Sequence, residues 1–222
     1  LINSKFDSNR VGVIWGAGIG GIETFQNEME NFFSNKKPRF NPFFIPKLIA
    51  DIAPGLISIK YGFKGPNFTT VSACASSSNA IIDGLNYIRL GYADVIIAGG
   101  SEAAVTCAGI GGFNAMHALS TRNNEPDKAS RPFDSDRDGF VLGEGGGCIV
   151  LEDLDHAIKR NAKIYCELAG GGLSADAHHM TAPHPEGNGA KKVMENCLQD
   201  AKLNIDEVDH INMHGTSTPL GD

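Results

Sequence analysis

The chain has 222 residues, 41% apolar and 20% charged, which is one ordinary domain or two small ones with a core of their own. Its 27 glycines stand well above the roughly 7% of an average protein. They come without a G-x-y repeat, so collagen-like and disordered classes are excluded and glycine must serve turns and close backbone approaches. The net charge of −7 removes the basic field that nucleic acid or anionic lipid would need.

No apolar run reaches the ~18 residues of a membrane span, and the N-terminus lacks the apolar stretch of a signal peptide. Five cysteines, an odd count with no C-x-x-C pair, read as free thiols in a reducing compartment. The chain therefore reads as soluble and cytoplasmic. It starts at Leu1 and ends on a loop leading to a helix cap at Asp222, so it also reads as cut at both ends.

In chain order, Arg10–Trp15 is a β-branched strand that runs into Gly16, Gly18, Gly20 and Gly21, and Ile22–Phe33 follows as a helix. After a proline-spaced stretch, a second helical run extends from Lys47 to Ile59, interrupted near Pro54-Gly55. Asn67–Ala73 reads as a buried strand, and Ser76–Leu90 as a helix with Ala80, Ile81, Leu85 and Ile88 on its apolar side. Asp94–Ala98 is a buried strand closed by Gly99-Gly100, with helical material to about Leu119. Asn123–Asp138 is polar and turn-rich, Gly147–Leu151 a strand and Leu154–Arg160 a helix. Ile164–Gly170 starts another strand, Ala190–Ala201 is an amphipathic helix, and His210–His214 ends on a strand tip. Apolar strands alternating with helices predict an α/β protein with a largely parallel, two-sided sheet.

Gly16–Gly21 satisfies G-x-G-x-x-G between a strand and a helix, but Asn31–Ala50 contains no acid to bind a ribose, so a close-packed strand-to-helix turn is preferred over a nucleotide site. Asp134–Gly139 opens like a calcium loop, yet its twelfth position is Gly145; it reads instead as a charged loop whose acids pair with Arg131 and Arg137. His210 and His214 share a strand face but stand ~13 Å apart, too far for one metal.

Cys74 is the strongest chemical candidate. A strand that turns at once into a helix presents the thiol at the helix N-terminus, where free N–H groups favour a thiolate. Its neighbours Ala73, Ala75, Ser76, Ser77 and Ser78 are small enough for a sharp elbow, and the serines are placed to cap the helix. Inert packing is the alternative, and is the reading given to Cys107, Cys148 and Cys197. A nucleophilic cysteine needs a base from elsewhere, and His214, opening Gly215–Pro219, is its best partner.

The stretches VSACASSSNAI around Cys74 and MHGTSTPLGD around His214 together closely resemble the β-ketoacyl-acyl-carrier-protein synthases, in particular the type II elongating enzymes of bacterial fatty acid synthesis. GAGIGG, NPFFIP, YGFKGP, DVIIAGGSEA, GGFNAMHALSTRN, ASRPFDSDRDGFVLGEG and HHMTAP follow in the family's order. The resemblance implies a thiolase-like α/β fold in five layers, α-β-α-β-α, carried here incompletely: most of the first half over 1–162 and the start of the second over 163–222. It also implies a homodimer, an acyl carrier protein as partner, substrates borne on that protein's phosphopantetheine, and neither a metal nor another cofactor.

By the same resemblance, Cys74 takes the acyl chain as a thioester and its backbone N–H contributes to the oxyanion hole. His214 is the first histidine of a Cys-His-His set and donates to the malonyl thioester carbonyl. The second histidine, a lysine and a phenylalanine-containing glycine loop lie beyond Asp222. Thr181, Thr216 and Thr218 correspond to contacts with the phosphopantetheine arm. Ile19 and Phe113 correspond to the acyl channel, whose wall the glycine turn forms, reaching across the dimer interface. Lys36, Lys37 and Arg39, the densest basic cluster, are read as a contact for the acidic carrier protein, with a solvated turn as the alternative. Ala75 departs from the family, which usually has a hydroxyl residue there. Type I synthases and polyketide ketosynthase domains remain neighbouring readings. Non-catalytic chain-length factors lose the cysteine, and Cys74 argues against them.

Overall fold

The computed structural model describes residues 6–36 and 39–222. They form two compact units: the first runs to Gly109 and resumes over Gly143–Glu167, and the second comprises Ile110–Leu142 and Leu168–Asp222.

The first unit is built on one four-stranded sheet, ordered β2-β1-β3-β4, from β1 (Val11–Gly16), β2 (Asn67–Thr70), β3 (Val95–Glu102) and β4 (Gly145–Glu152). β1 pairs in parallel with both β2 and β3, whereas β4 runs antiparallel to β3. The sheet is thus mixed at one edge. All six residues of β1 are buried, as a central strand with helices on the sheet requires. Gly99 and Gly100 do not close β3; they lie inside it, opposite Cys148 and Gly147, and the strand continues to Glu102. β2 stops at Thr70 and is only half-buried, being an edge strand rather than the buried one expected.

The helices of this unit are α1 (Ile22–Ser34), α2 (Phe44–Leu48), α3 (Ile52–Tyr61), α4 (Ser76–Arg89) and α6 (Leu154–Lys159), with α5 (Cys107–Ala115) holding the boundary at Gly109. The break expected at Pro54-Gly55 falls earlier, between α2 and α3, because Pro54 occupies the first turn of α3, where its missing N–H has no intrahelical partner to lose. α4 lies on the sheet through Ser76, Ala80 and Gly84, spaced four apart, and a methyl on Gly84 would stand 2.8 Å from Leu151 Cδ1. A ladder of rings, Phe25–Phe44, Phe44–Phe40 and Phe40–Phe32, at 6.4, 5.4 and 4.8 Å, ties α1 to the start of α2 and the segment before it.

In the second unit the regular helix is α7 (Asn188–Ala201). The 168–176 segment is held along it by Gly171 N–H on Asp200, Ser174 Oγ on Gly189 O and Asn196 Nδ2 on Leu173 O. Neither Ile164–Gly170 nor His210–His214 forms a strand: among the described residues none supplies a ladder to pair with either. No described helix is long and apolar enough to cross a membrane.

Candidate active site

Between the end of β2 and the start of α4 the chain turns within five residues. Ala73 takes φ +48°, the left-handed region that costs an L residue about 1–2 kcal/mol. Cys74 follows it in the single turn Ala73–Ala75 and is exposed. Ser76 is buried beneath them: its Oγ accepts the Ser72 N–H at 2.9 Å and donates to Ala73 O at 2.7 Å. Thr70 Oγ1 donates to Ser76 O, and Asn79 Nδ2 to Ser72 Oγ, both at 2.7 Å. The serine therefore braces the elbow; α4 has no side-chain cap, its N-cap position being Ala75. This close approach of α4 to the sheet is why Gly16 lacks a side chain, since a methyl there would overlap the backbone of Ser76 and Ser77.

The glycine turn after β1 sits against this elbow, a methyl on Gly18 lying 3.4 Å from Ala73 O. Its amides converge on one carboxylate. Glu102 Oε2 accepts the N–H groups of Gly18 at 2.8 Å and Ile19 at 2.7 Å, and Oε1 that of Gly20 at 3.1 Å. The positions where a dinucleotide fold would hold phosphate are thus filled by a side chain from the end of β3. Gly20, at φ +84°, is the turn residue that demands glycine. Ile19 remains 43% exposed. An open cavity of ≈ 390 Å³ adjoins the turn, lined by Gly20, Ser101, Glu102, Ala103, Glu144, Gly145 and Gly146.

In the second unit His214 is exposed at the end of the irregular 208–214 run and leads into a tightly bonded segment. Thr216 Oγ1 and Thr218 Oγ1 are 2.8 Å apart. Ser217, fully buried at φ +68°, accepts the Arg131 N–H on its Oγ and the Gly139 N–H on its carbonyl. Asp222 Oδ2 accepts the N–H groups of Ser217 at 2.9 Å and Phe133 at 3.0 Å. Burial pushes the Asp222 carboxyl up, but these bonds and those from Thr216 outweigh it and hold it below the ordinary carboxylate range. Arg137 donates to Thr218 O, Pro219 O and Asp134 O.

The calcium-like loop is accordingly a brace for this segment, and its acids do not pair with Arg131 and Arg137 as expected. Asp134 takes the Asp136 N–H, while Asp138 takes Ser120 and Thr121 and faces Arg122 at 3.6 Å. Those bonds, the Ser120 hydroxyl foremost, hold Asp138 below its ordinary range. Arg131 turns to the Lys128 carbonyl instead.

The remaining candidates have their own surroundings. Phe113, on α5, meets the edge of Phe140 at 5.2 Å. Thr181 is exposed and donates its N–H to His179 Nδ1 at 3.2 Å. Lys36 and Arg39 are exposed, and Lys37 lies outside the described residues. Cys107 and Cys148, expected to pack inertly inside, are exposed, and Cys197 is half-buried.

Sequence reasoning missed Glu102, Ser76, Arg137 and Asp222 as supports. The first had a signal: an acid closing an apolar strand, in a chain whose glycine motif lacks its acid nearby.

An α/β sheet that delivers an exposed cysteine to a tight strand-to-helix elbow is the frame of the thiolase-like ketosynthases, and this chain carries part of that fold. It belongs to the β-ketoacyl synthase family: "Beta-ketoacyl synthase, N-terminal domain" matches residues 1–157 and "Beta-ketoacyl synthase, C-terminal domain" residues 165–222. The chain is 51% identical, over 99% of its length, to the 3-oxoacyl-[acyl-carrier-protein] synthase 2 of Coxiella burnetii, and 46% identical over its whole length to that of Synechocystis sp.. It spans about half the length of these curated relatives, 53% of each.

Among solved structures, the AntDE:AntF complex, a type II PKS acyl-carrier protein with its ketosynthase bound to the hexaketide, matches with a TM-score of 0.90 at 32% identity, over 98% of this chain and 55% of that one. A β-ketoacyl synthase from Burkholderia phymatum matches with a TM-score of 0.88 at 33% identity, over 99% and 53%.

Proposed function

We propose that the protein to which this chain belongs is a 3-oxoacyl-[acyl-carrier-protein] synthase of the type II, fatty-acid-elongating kind. The single observation that carries this is Cys74, exposed on a left-handed elbow between β2 and α4. The curated relatives named as synthase 2 support the fatty acid reading over the polyketide one, since they are 46–51% identical where the ketosynthase structures stand near 30%.

In the first half-reaction Cys74 Sγ attacks the acyl thioester carbonyl and the phosphopantetheine thiol leaves with a proton. In the second, malonyl-carrier protein loses CO2, and the enolate carbon attacks the Cys74 thioester, forming a carbon–carbon bond and releasing the cysteine. His214 donates its N–H to the thioester oxygen on which negative charge develops. Thr181, Thr216 and Thr218 hold the phosphopantetheine arm, and Ile19 and Phe113 line the acyl channel. The acyl carrier protein is the partner, the assembly a homodimer, the location the cytoplasm, and the chemistry needs no metal. The two family halves meet at 162/163, which the domain matches ending at 157 and resuming at 165 support.

Incubating the full-length protein with acyl-carrier-protein thioester should add one acyl mass to the peptide containing Cys74, and Cys74→Ala should abolish it. An acylated Cys74→Ala protein overturns the assignment. Lys36, Lys37 and Arg39 form the proposed contact with the acidic carrier. Reversing all three charges should weaken carrier affinity and flatten its salt dependence, and an unchanged affinity refutes this contact.

A further inference from the structure

We propose that Glu102 is a positioning residue: its carboxylate fixes the Gly18–Gly20 turn beside the nucleophile elbow and thereby sets which acyl chains pass Ile19. This rests on the reading of Cys74 as the acylated thiol and Ile19 as channel wall.

Three successive amides aimed at one point form a concave patch of partial positive charge, which is stable only when an anion or water fills it. Here the filler is built in and comes from 84 residues away. The flanks of the turn are pinned elsewhere, Ala17 N–H to Thr70 O at 3.2 Å with its carbonyl taking the Ser76 hydroxyl at 3.4 Å, and Gly21 N–H to Leu48 O at 2.9 Å. The N–H groups of the three residues between them all go to Glu102. Gly18 and Gly20 have no side chains to anchor, and that of Ile19 is 43% exposed. The second carboxylate lining the same cavity, Glu144, is engaged by the Val105 N–H at 2.9 Å and is not a substitute. Because Gly18 faces the Ala73 carbonyl so closely that a methyl added there would lie 3.4 Å from it, a turn that loses its carboxylate shifts against the residue preceding Cys74.

The division of labour between the two oxygens makes the amide a sharp probe. In Glu102→Gln the side-chain oxygen can replace Oε2 and keep Gly18 and Ile19, but its NH2 then faces the Gly20 N–H, donor against donor. On the reading of Ile19 as channel wall, a long acyl chain passes it whereas a short one ends before it, so loosening the turn acts on chain-length selectivity.

The test measures kcat/KM of the full-length enzyme for a long and a short acyl thioester in wild type, I19A, E102Q and E102A. I19A should change the long-to-short ratio. E102Q should lower it about tenfold, as expected for one lost charge-assisted bond and one opposed pair, and E102A further. Formate added to E102A should restore part of the ratio and raise its melting temperature, leaving wild type unmoved, because the small carboxylate refills the amide cradle. A purely structural role would lower the melting temperature without moving the ratio. If I19A shifts the ratio while folded E102Q and E102A keep the wild-type value, the proposal falls and the functional reading stands. If I19A leaves the ratio unchanged, the channel assignment falls and the proposal with it. Variants that fail to fold even with formate also overturn it, and a wild type without acyl transfer overturns the reading itself.

Discussion

Around Cys74 the chain is fixed by volume. Gly16 and Gly100 let α4 descend onto the sheet, and the bonds that shape the elbow come from the neutral side chains of Thr70, Ser76 and Asn79. Around Thr216–Asp222 it is fixed by charge: no regular element passes through the segment, and Arg137 and Asp222 hold its backbone through carbonyls and amides. A sheet and a helix position a residue by excluding alternatives, whereas an irregular loop needs a specific partner for each buried polar group. The two regions should therefore fail under different perturbations.

The largest expected effect tests the volume side. Gly16→Ala forces a methyl into the backbone of Ser76 and Ser77 and should cost about 3 kcal/mol, read by urea unfolding. A loss under about 1 kcal/mol would mean that α4 rides less tightly on the sheet than the geometry requires. Next, Arg137→Ala removes the donors to Thr218 O, Pro219 O and Asp134 O, and should cost about 2 kcal/mol in the same measurement. It should also raise amide exchange over 216–222 while leaving the Ser72 amide protected.

Acid sharpens the contrast further. Asp222 and Asp138 are both held below the ordinary carboxylate range in the folded state. Their contribution is present above the unfolded pKa of about 4 and is lost as pH falls through the lower folded value. Protection of the Ser217 and Phe133 amides should thus fall in that acid window, whereas the Ser72 amide, bonded to the Ser76 hydroxyl, should keep its protection. The smallest effect is a gain: a methyl on Gly55, in α3, meets nothing within 4 Å. Gly55→Ala should stabilise by about 0.5–1 kcal/mol through helix propensity, and a thermal melt showing destabilisation would reveal a neighbour there.

Much of this was legible in the chain. β1, α1, α4 and α7 stand within a residue or two of where periodicity places them, because each carries its own apolar pattern and boundary residues. The elbow at Cys74 was legible for the same reason: an apolar strand, a run of small residues and a helix follow one another directly. The end of β3 was misread because Gly99-Gly100 looks like a stop, yet a strand flanked by a glycine-rich neighbour tolerates both. Ile164–Gly170 and His210–His214 do not form the strands their sequence suggests because an apolar run becomes a strand only when another backbone pairs with it.

The sequence by itself determined the α/β class, the cysteine elbow and the family resemblance, because each is read from local segments of about ten residues and from their order along the chain. Only the tertiary structure decided what fills the glycine turn and what holds the histidine-bearing segment. Glu102 reaches its three amides across 84, 83 and 82 residues, and Arg137 reaches Thr218 across 81. Such pairings obey donor and acceptor geometry rather than spacing along the chain, so no local pattern records them.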